Sequence, residues 1–334
     1  MALALLVLPD FALAVEACDY APENIEHSYG RLRWLCMLGA LCPVSDKAFD
    51  LIKQAMANDR SSEYLLGLTL LVGDDLPRDR TAGVRWIALA AERGDAAAAR
   101  DIASRLRNGE AVDVDETKIA TALRAQADAG DAESMRALGP MVIGGRGTRQ
   151  DPAAGLDLLR RAAEKGSTGA EIDLSLLYRD GAPGVPQNRP ESLKWLASSA
   201  GHGNVEAMVN LGYVSIGDTV ATGFCWLMRA ALLDQAQAQE KLSMVFANGA
   251  KDGHGMAIEP DLVQADLWFR LAARSPYHDN SQIRAMIEPH MTTEQLNQAK
   301  HLFEAWRPRT LAEVRAMTIA LPPPAAQGNC TPMT

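Results

Sequence analysis

A fixed internal spacing of about 36 residues constrains the fold of this 334-residue chain more than any other feature. A small residue recurs at this spacing, and in most copies a glycine follows it six positions later. A large apolar residue marks the second half of each copy, except in one copy where Ala122 takes its place. Self-similarity at such a period is the signature of a repeat array. The small residues, at intervals of 36, 36, 36, 37 and 31, are Gly67, Ala103, Gly139, Ser175, Gly212 and Ser243.

Each copy predicts two helices joined by a glycine-containing turn. In the third copy, apolar residues recur at helical spacing until the break at Gly144-Gly145. Asp151 is then the expected N-cap of the second helix, with Pro152 at its first position. Pro140 lies inside the first helix, where a missing N–H is expected to kink the turn.

The recurring residues have a packing role in this interpretation. A small residue in the middle of the first helix lets the second helix approach closely, and pairs such as Ala90-Ala91 do the same from the other side. The large apolar residue, often a Trp, fills the wedge between copies and buries up to about 150–250 Å². One helix pair cannot bury its own apolar face, so the copies are expected to stack.

The third copy supplies a motif of spaced acidic, small and apolar residues. Its members are Asp131-Ala132-Glu133, Leu138-Gly139, Gly145, Leu158, Ala162-Ala163 and Gly166. This motif resembles the SEL-one-like repeat family, the longer relatives of tetratricopeptide repeats. The segment from Met291 to Trp306 is similar to the closing helix of the bacterial members. The resemblance implies an all-α fold, a right-handed α/α superhelix (solenoid) of stacked antiparallel helix pairs.

The resemblance also implies the domain organisation. Residues 61–306 are expected to form the solenoid, with about six helix pairs and the closing helix, and residues 18–60 are expected to form capping helices. The sixth copy carries an extra loop, Ala250–Pro260. Residues 307–334 are Pro-rich, and we expect a mostly disordered tail with one short helix around Leu311–Ile319.

Residues 1–17 predict a signal peptide, and hence a periplasmic or secreted protein. The apolar stretch Ala2–Ala14 has the length of a signal-peptide core, ends in an A-x-A site and is too short to span a membrane. No Lys or Arg precedes it, and Pro9-Asp10 interrupts it. The alternative is therefore a buried cap helix in a cytoplasmic scaffold.

Five cysteines bear on the same question. In an oxidising compartment, Cys18 would pair with Cys36 or Cys42 and staple the N-terminal cap. The alternative is that all five are reduced. Cys225 precedes a Trp on a predicted helix and is interpreted as a small buried apolar residue.

The sequence predicts no enzyme, no cofactor and no metal site. It lacks the G-x-S-x-G, H-E-x-x-H and P-loop motifs. Some relatives carry a β-lactamase label, but the S-x-x-K and KTG motifs of that chemistry are also missing, so such a hydrolase is only an alternative. The loop Asp252–Gly255 holds one Asp and one His, an incomplete metal shell, and is interpreted as solvated. Net charge −9 and a pI near 5.2 argue against a nucleic-acid partner.

A partner-binding surface is predicted on the concave face, which the first helix of each pair lines in such a superhelix. Arg, Tyr and paired charges are typical of protein-binding surfaces. We therefore expect a non-enzymatic protein–protein interaction scaffold or regulator of the bacterial cell envelope, which binds a protein or extended peptide there. Arg100 and Arg136 are 36 residues apart and are expected to be neighbours along the groove, where an acidic stretch of the partner could bridge them. The predicted groove residues are Tyr64, Arg100, Asp101, Arg107, Arg136, Asp173, Arg179, Asn210, Tyr213, Glu240 and Lys241.

Overall fold

The computed structural model describes residues 20–26, 29, 45–275, 285, 287–322 and 329–330. Within these ranges, helices dominate, and the predicted all-α fold of successive helix pairs is confirmed. The fifteen helices of this part of the chain are α1 (Asp46–Met56), α2 (Arg60–Val72), α3 (Arg80–Glu92), α4 (Ala96–Arg107), α5 (Glu116–Asp128), α6 (Ala132–Gly144), α7 (Pro152–Glu164), α8 (Thr168–Asp180), α9 (Arg189–Gly201), α10 (Val205–Ser215), α11 (Val220–Leu232), α12 (Ala236–Asn248), α13 (Leu262–Ala272), α14 (Thr293–Ala305) and α15 (Leu311–Ala316).

Extended structure in the described residues is limited to two short antiparallel pairs and an isolated antiparallel bridge between Ala182 and Val185. Strand β1 (Ala250–Lys251) pairs with β2 (Ala257–Ile258) in the extra loop of the sixth copy. Strand β3 (Ile319–Ala320) pairs with β4 (Asn329–Cys330) near the C-terminus. A single 3₁₀ turn, Glu288–His290, precedes α14.

The helix boundaries follow from capping chemistry. The side chain of Asp151 accepts the N–H of Ala154 and Pro152 opens α7, as the sequence predicts. Gly145 ends α6 in the left-handed conformation at φ 74°, which glycine adopts without strain. Pro140 lies inside α6, and the helix continues through it to Gly144.

The chain divides into two compact units, of which the first comprises Met1–Ala170 and Ala182–Pro186. Within it, each helix from α1 to α7 packs against the next. Trp86 of α3 is 2% exposed, and its indole N–H donates to the carbonyl oxygen of Tyr20 at 2.6 Å. Tyr20 and Ile25 are themselves buried in this core. The first repeat is thus closed by residues that precede it in the chain, while Leu38-Gly39, the other part of the expected cap, lies outside the described residues.

The second unit comprises Glu171–Gly181 and Gln187–Thr334, and within it each helix from α9 to α14 packs against the next. The rings of Phe224 and Phe246 meet edge to face in its core, with centroids 5.8 Å apart. Trp268 is buried here, but Trp195 and Trp226 are only half-buried. The sequence predicts a buried Trp at the landmark, but the observed burial of this side chain differs from copy to copy.

The helix pairs of the first unit approach closely at the small residues, as predicted. A Cβ at Gly67 of α2 would lie 2.6 Å from Ile87 Cγ1 and 2.8 Å from the carbonyl oxygen of Gly83 in α3. A Cβ at Gly139 of α6 would lie 3.1 Å from the carbonyl oxygen of Gly155 in α7. These distances leave no room for a side chain, so both helices need a glycine where they cross.

Two helix pairs of the second unit reach the same contact with serine, whereas α10 and α11 again use glycines, Gly212 and Gly223. Ser175 of α8 and Ser192 of α9 are both buried, and their hydroxyl oxygens lie 3.2 Å apart in a hydrogen bond. Ser243 of α12 donates its hydroxyl to the carbonyl oxygen of Ala265 in α13 at 2.8 Å. The second helices α3, α7, α9, α11 and α13 therefore each contribute a small residue three positions before the large landmark, whereas α5 has Ile119 there.

The C-terminal segment differs from the expected disordered tail. Helix α15 forms within the predicted range, and Val314 on it is fully buried. The N–H of Arg309 donates to the carbonyl oxygen of Leu232 at 2.7 Å, and the Arg315 guanidinium donates to the carbonyl oxygen of His202 at 2.6 Å. In the described part of residues 307–334, the chain packs on the second unit.

A disulfide joins Cys225 of α11 to Cys330 of β4. The interpretation of Cys225 as a merely apolar core residue is therefore wrong, although the residue is buried. The sequence analysis placed the disulfide among Cys18, Cys36 and Cys42, which lie outside the described residues. The observed bond encloses a separation of 105 residues and tethers the end of the chain to the second unit.

The extra loop of the sixth copy is a hairpin rather than a freely solvated loop. Asp252 is buried and accepts the backbone N–H groups of Val220, His254 and Met256. Burial raises the pKa of Asp252, but these three donors outweigh it and hold the pKa below its usual range. Asp252 therefore ties the hairpin to the start of α11, where Thr219 provides no side-chain cap.

Candidate functional site

A cavity of about 260 Å³ opens on the first helices α4 and α6 of the first unit. Four arginines, Arg100, Arg107, Arg136 and Arg146, line it and define what we call the arginine cavity. The lining contains one acidic residue, Glu133. Apolar or small side chains complete it: Ala103, Leu106, Ala137, Pro140 and Met141, together with Ser104.

Arg100 is held at one side of the arginine cavity by the start of α6. Its Nη1 donates to Asp131 Oδ2 at 2.9 Å and to Ser134 Oγ at 3.4 Å. Asp131 is also the N-cap of α6, where it accepts the N–H of Ser134. Burial raises the pKa of Asp131, but the Ser134 and Arg100 interactions outweigh it and lower the pKa. The same carboxylate thus starts the helix and orients the guanidinium.

Arg146 lies in the turn after α6 and is fixed at three points. Its Nη1 donates to the carbonyl oxygen of Leu106 at 2.8 Å, while Nη2 and Nε donate to the Glu116 carboxylate at 2.6 and 3.2 Å. Bidentate pairing of this kind holds a guanidinium in one orientation. Arg146 was not among the predicted groove residues.

Arg136 and Glu133 face each other across one turn of α6. Arg136 Nη1 lies 3.3 Å from Glu133 Oε2, and Glu133 Oε1 accepts the hydroxyl of Ser167 at 2.6 Å. The Arg136 guanidinium also covers Gly169, where a Cβ would lie 2.5 Å from its Cζ. Glu133 was not among the predicted groove residues, although its position three residues before Arg136 on the same helix favours an ion pair between the two side chains.

The structure brings Arg100, Arg107 and Arg136 to one cavity. Arg100 and Arg136 are equivalent positions 36 residues apart, and Arg107 lies seven residues after Arg100 on α4. Asp101 instead pairs with Arg105 on its own helix, at 2.8 Å. Tyr64 on α2 is half-buried, and burial, followed by the charges of Asp101 and Asp95, raises its pKa. These two residues do not line the arginine cavity.

The predicted groove residues of the second unit form a separate group. Lys241 Nζ lies 5.0 Å from the ring centroid of Tyr213, and the Tyr213 hydroxyl donates to the carbonyl oxygen of Gln237 at 3.3 Å. Burial, followed by the charge of Glu240, raises the pKa of Tyr213. Arg179 forms a bidentate pair with its neighbour Asp180. The remaining two, Asp173 and Asn210, are half-buried.

The first helices of the second unit also expose apolar side chains. Each lies one position after a small landmark, and they are 37–42% exposed. They are Leu176 on α8, Tyr213 on α10 and Met244 on α12. In the first unit the same positions hold Leu68, Ser104 and Pro140, all half-buried.

Two kinds of feature are absent from the described residues. No cluster of three or more His, Cys, Asp or Glu side chains is suited to hold a metal ion there. Among those residues, no helix combines the length and the apolar character that a membrane span requires.

Consecutive helix pairs, joined by short turns and crossing at small residues, define the class of α-helical repeat proteins. Comparison with family models narrows the class. The Sel1 repeat model matches residues 60–95, 132–167, 169–204 and 236–277, which correspond to α2–α3, α6–α7, α8–α9 and α12–α13. The unmatched pairs, α4–α5 and α10–α11, are those with Ala122 in place of the large landmark and with a shortened repeat.

Solved structures with similar folds carry several descriptions. A Sel1 repeat protein from Oxalobacter formigenes is 20% identical, with 76% of this chain and 99% of that chain covered and a TM-score of 0.47. A protective antigen of uropathogenic Escherichia coli with an SLR fold is 21% identical, with coverages of 88% and 78% and a TM-score of 0.29. An immunity protein from Pseudomonas aeruginosa is 21% identical, with coverages of 71% and 85% and a TM-score of 0.41. No curated protein sequence matches the chain.

Proposed function

We propose that this protein is a non-enzymatic protein–protein interaction module that binds its partner on the first-helix surface of the first unit. The observation that carries the proposal is the arginine cavity, where three predicted groove residues and Arg146 meet on α4, α6 and the turn after α6. Sel1 repeats commonly mediate protein–protein interaction, and Sel1 scaffolds are generally non-enzymatic. A preformed surface with fixed Arg side chains is suited to such binding, because little side-chain entropy is lost on association.

We also propose that the module acts in the bacterial cell envelope, in the periplasm or as a secreted protein. Two observations support this location. The apolar stretch of residues 1–17 has signal-peptide character. The Cys225–Cys330 disulfide is of a kind that persists in oxidising compartments and is rare in the cytosol. A cytoplasmic scaffold is the competing hypothesis.

The binding proposal is tested by capture of partners from envelope extracts with the full-length protein. The test variant is Arg107→Glu with Arg136→Glu, and the matched control is Arg124→Glu with Arg160→Glu. The control arginines are exposed on the second helices α5 and α7 and do not line the arginine cavity. Both variants change the net charge equally, so a general charge effect would appear in both.

The expected result is that a protein captured by the wild type and by the control is lost, by a factor of ten or more, with the cavity variant. Circular dichroism should show the same helix content in all three proteins. Retention by the cavity variant together with loss in the control would place the partner on the opposite helices and refute the proposal.

A further inference from the structure

The arginine cavity differs in charge from the chain that contains it. The whole chain has 33 basic and 42 acidic residues and a net charge of −9. The cavity lining has four arginines and one glutamate, and two of the arginines, Arg100 and Arg146, also pair with Asp131 and Glu116 outside the lining. A concave site lined mainly by one sign of charge concentrates the field and attracts ligands of the opposite sign. A negatively charged group is therefore the chemistry that this site favours.

The cavity size limits what can enter it. At about 260 Å³ it lies below the range of about 300–1,000 Å³ that is typical of sites for small molecules and cofactors. A space of this size suits one or two amino-acid side chains. Binding energy at protein interfaces concentrates at such pockets, each filled by an anchoring side chain of the partner.

The lining is amphipathic in a way that fits an acidic side chain rather than a bare ion. Leu106 and Met141 line the cavity and are otherwise buried, so the cavity offers apolar surface to methylene groups. Arg100 and Arg146 also line the cavity, and each is held by a hydrogen bond to a carboxylate, that of Asp131 and that of Glu116 respectively. A guanidinium has five N–H donors in a rigid fork, and the hydrogen bonds of Arg100 to Asp131 and Ser134 both leave from Nη1.

We propose that the arginine cavity binds a Glu or Asp side chain of an acidic segment in the partner protein. The carboxylate lies among the guanidinium groups of Arg100, Arg107 and Arg136, and the aliphatic part of the side chain packs on Leu106 and Met141. Glu133, the single acidic lining residue, repels carboxylates from one side and so restricts the direction from which the segment enters. This inference rests on the proposed function and specifies the chemistry of its partner.

The test measures binding of defined peptides to the full-length protein by fluorescence polarisation. The probe is a labelled hexaglutamate peptide, and hexaglutamine is its uncharged match. Inorganic phosphate serves as a competitor that carries charge without a side chain. The variants are the cavity pair Arg107→Glu with Arg136→Glu and the control pair Arg124→Glu with Arg160→Glu.

The proposal predicts that hexaglutamate binds at least tenfold more tightly than hexaglutamine. The cavity pair should lose this preference and the control pair should keep it. Arg107→Lys with Arg136→Lys, which retains charge but not the planar fork, should bind hexaglutamate with intermediate affinity. Because Arg136 covers Gly169, Arg136→Gln is measured as well, and its melting temperature shows whether the first unit is still folded.

Equal binding of hexaglutamate to the cavity and control pairs would overturn the proposal. So would a site that binds inorganic phosphate but shows no preference for hexaglutamate, since that would be a site for small anions. If the cavity pair loses the envelope partner while hexaglutamate never binds, the proposed function stands and only the acidic chemistry is wrong. If the cavity pair keeps the partner, the proposed function itself is wrong.

Discussion

In the first unit, glycine faces glycine where α2 meets α3 and where α6 meets α7, whereas in the second unit serine faces serine where α8 meets α9. At the glycine crossings the two helix backbones approach closely, and no side-chain polar group is buried that would need a hydrogen-bond partner. The serine crossing places two hydroxyls in the core, and each hydroxyl is the other's hydrogen-bond partner. These crossings therefore require small side chains, and the buried chemistry at them varies from copy to copy, since α10 and α11 of the second unit again use Gly212 and Gly223.

The surfaces formed by the first helices also differ between the two units. The first presents the arginine cavity, while the second exposes Leu176, Tyr213 and Met244 at successive landmarks. The second unit is also tethered by a disulfide to the end of the chain. One repeat scaffold thus carries two surfaces of different chemistry, and changes confined to one unit should distinguish them.

The largest expected effect is on Trp86 of the first unit. Trp86→Ala removes a fully buried ring and its hydrogen bond to Tyr20, and should cost about 3–5 kcal/mol of unfolding free energy. Trp195→Ala in the second unit is the matched change at a half-buried ring and should cost clearly less. Urea denaturation of both variants measures the difference, and equal losses would contradict the burial that the structure gives them.

Removal of the disulfide should act on the second unit. Cys330→Ser opens a loop of 105 residues and should cost about 2–5 kcal/mol, because the unfolded chain regains conformational freedom. Stability in repeat arrays depends on nearest neighbours, so hydrogen exchange should rise in α11 and α15 and stay unchanged in α2 and α3. Thiol titration of the denatured wild type that finds every cysteine free would show that the bond does not form.

A smaller effect is expected at the helix crossings. Gly139→Ala places a methyl group where the carbonyl oxygen of Gly155 would lie 3.1 Å away, and such overpacking should cost about 1–3 kcal/mol. Ser175→Ala removes one of two mutually bonded hydroxyls and should cost about 0.5–1.5 kcal/mol. A stabilising Gly139→Ala in thermal unfolding would mean that the helices of the first unit can separate without cost.

The smallest expected effect is pH-dependent and concerns Asp131. Its folded pKa lies below the unfolded value, so its charge stabilises the fold above the ordinary Asp pKa of 3.8 and the contribution is lost as the pH falls through the lowered value. Asp131→Asn keeps a competent helix cap but removes the charge facing Arg100. The variant should be less stable by under about 1 kcal/mol at pH 7, because the pair is partly exposed, and equal to wild type in strong acid. A stability difference independent of pH would exclude the charge as its cause.

The repeat landmarks make the helix pairs predictable because they encode local rules. The predicted N-cap Asp151 acts within three residues and is confirmed. The structure also forms a capping box of Thr292 and Gln295 at the start of α14, which is equally local. Gly83 and Gly155 could have been found too, since they recur three positions before the large landmark. The sequence interpretation instead assigns the close approach of the second helix to small pairs that follow the landmark, such as Ala90-Ala91.

The disulfide and the arginine cavity depend on contacts that no local rule supplies. Cys225 and Cys330 are 105 residues apart, and neither spacing nor neighbours pair them. The row of Arg100 and Arg136 follows from the period, but the place of Arg146 depends on how a turn folds back onto Leu106 and Glu116. Periodicity therefore predicts which positions are equivalent, and tertiary packing decides which side chains meet.

The central claim is that α4 and α6 bind the partner, and a hydrogen-exchange footprint of the captured complex tests it most directly. Binding should slow exchange in Ala96–Arg107 and Ala132–Gly144, the first helices around the arginine cavity. Exchange in Glu116–Asp128 and Pro152–Glu164, the second helices of the same repeats, should stay as it is in the free protein. Protection confined to those second helices, or to the C-terminal segment after Trp306, would contradict the claim.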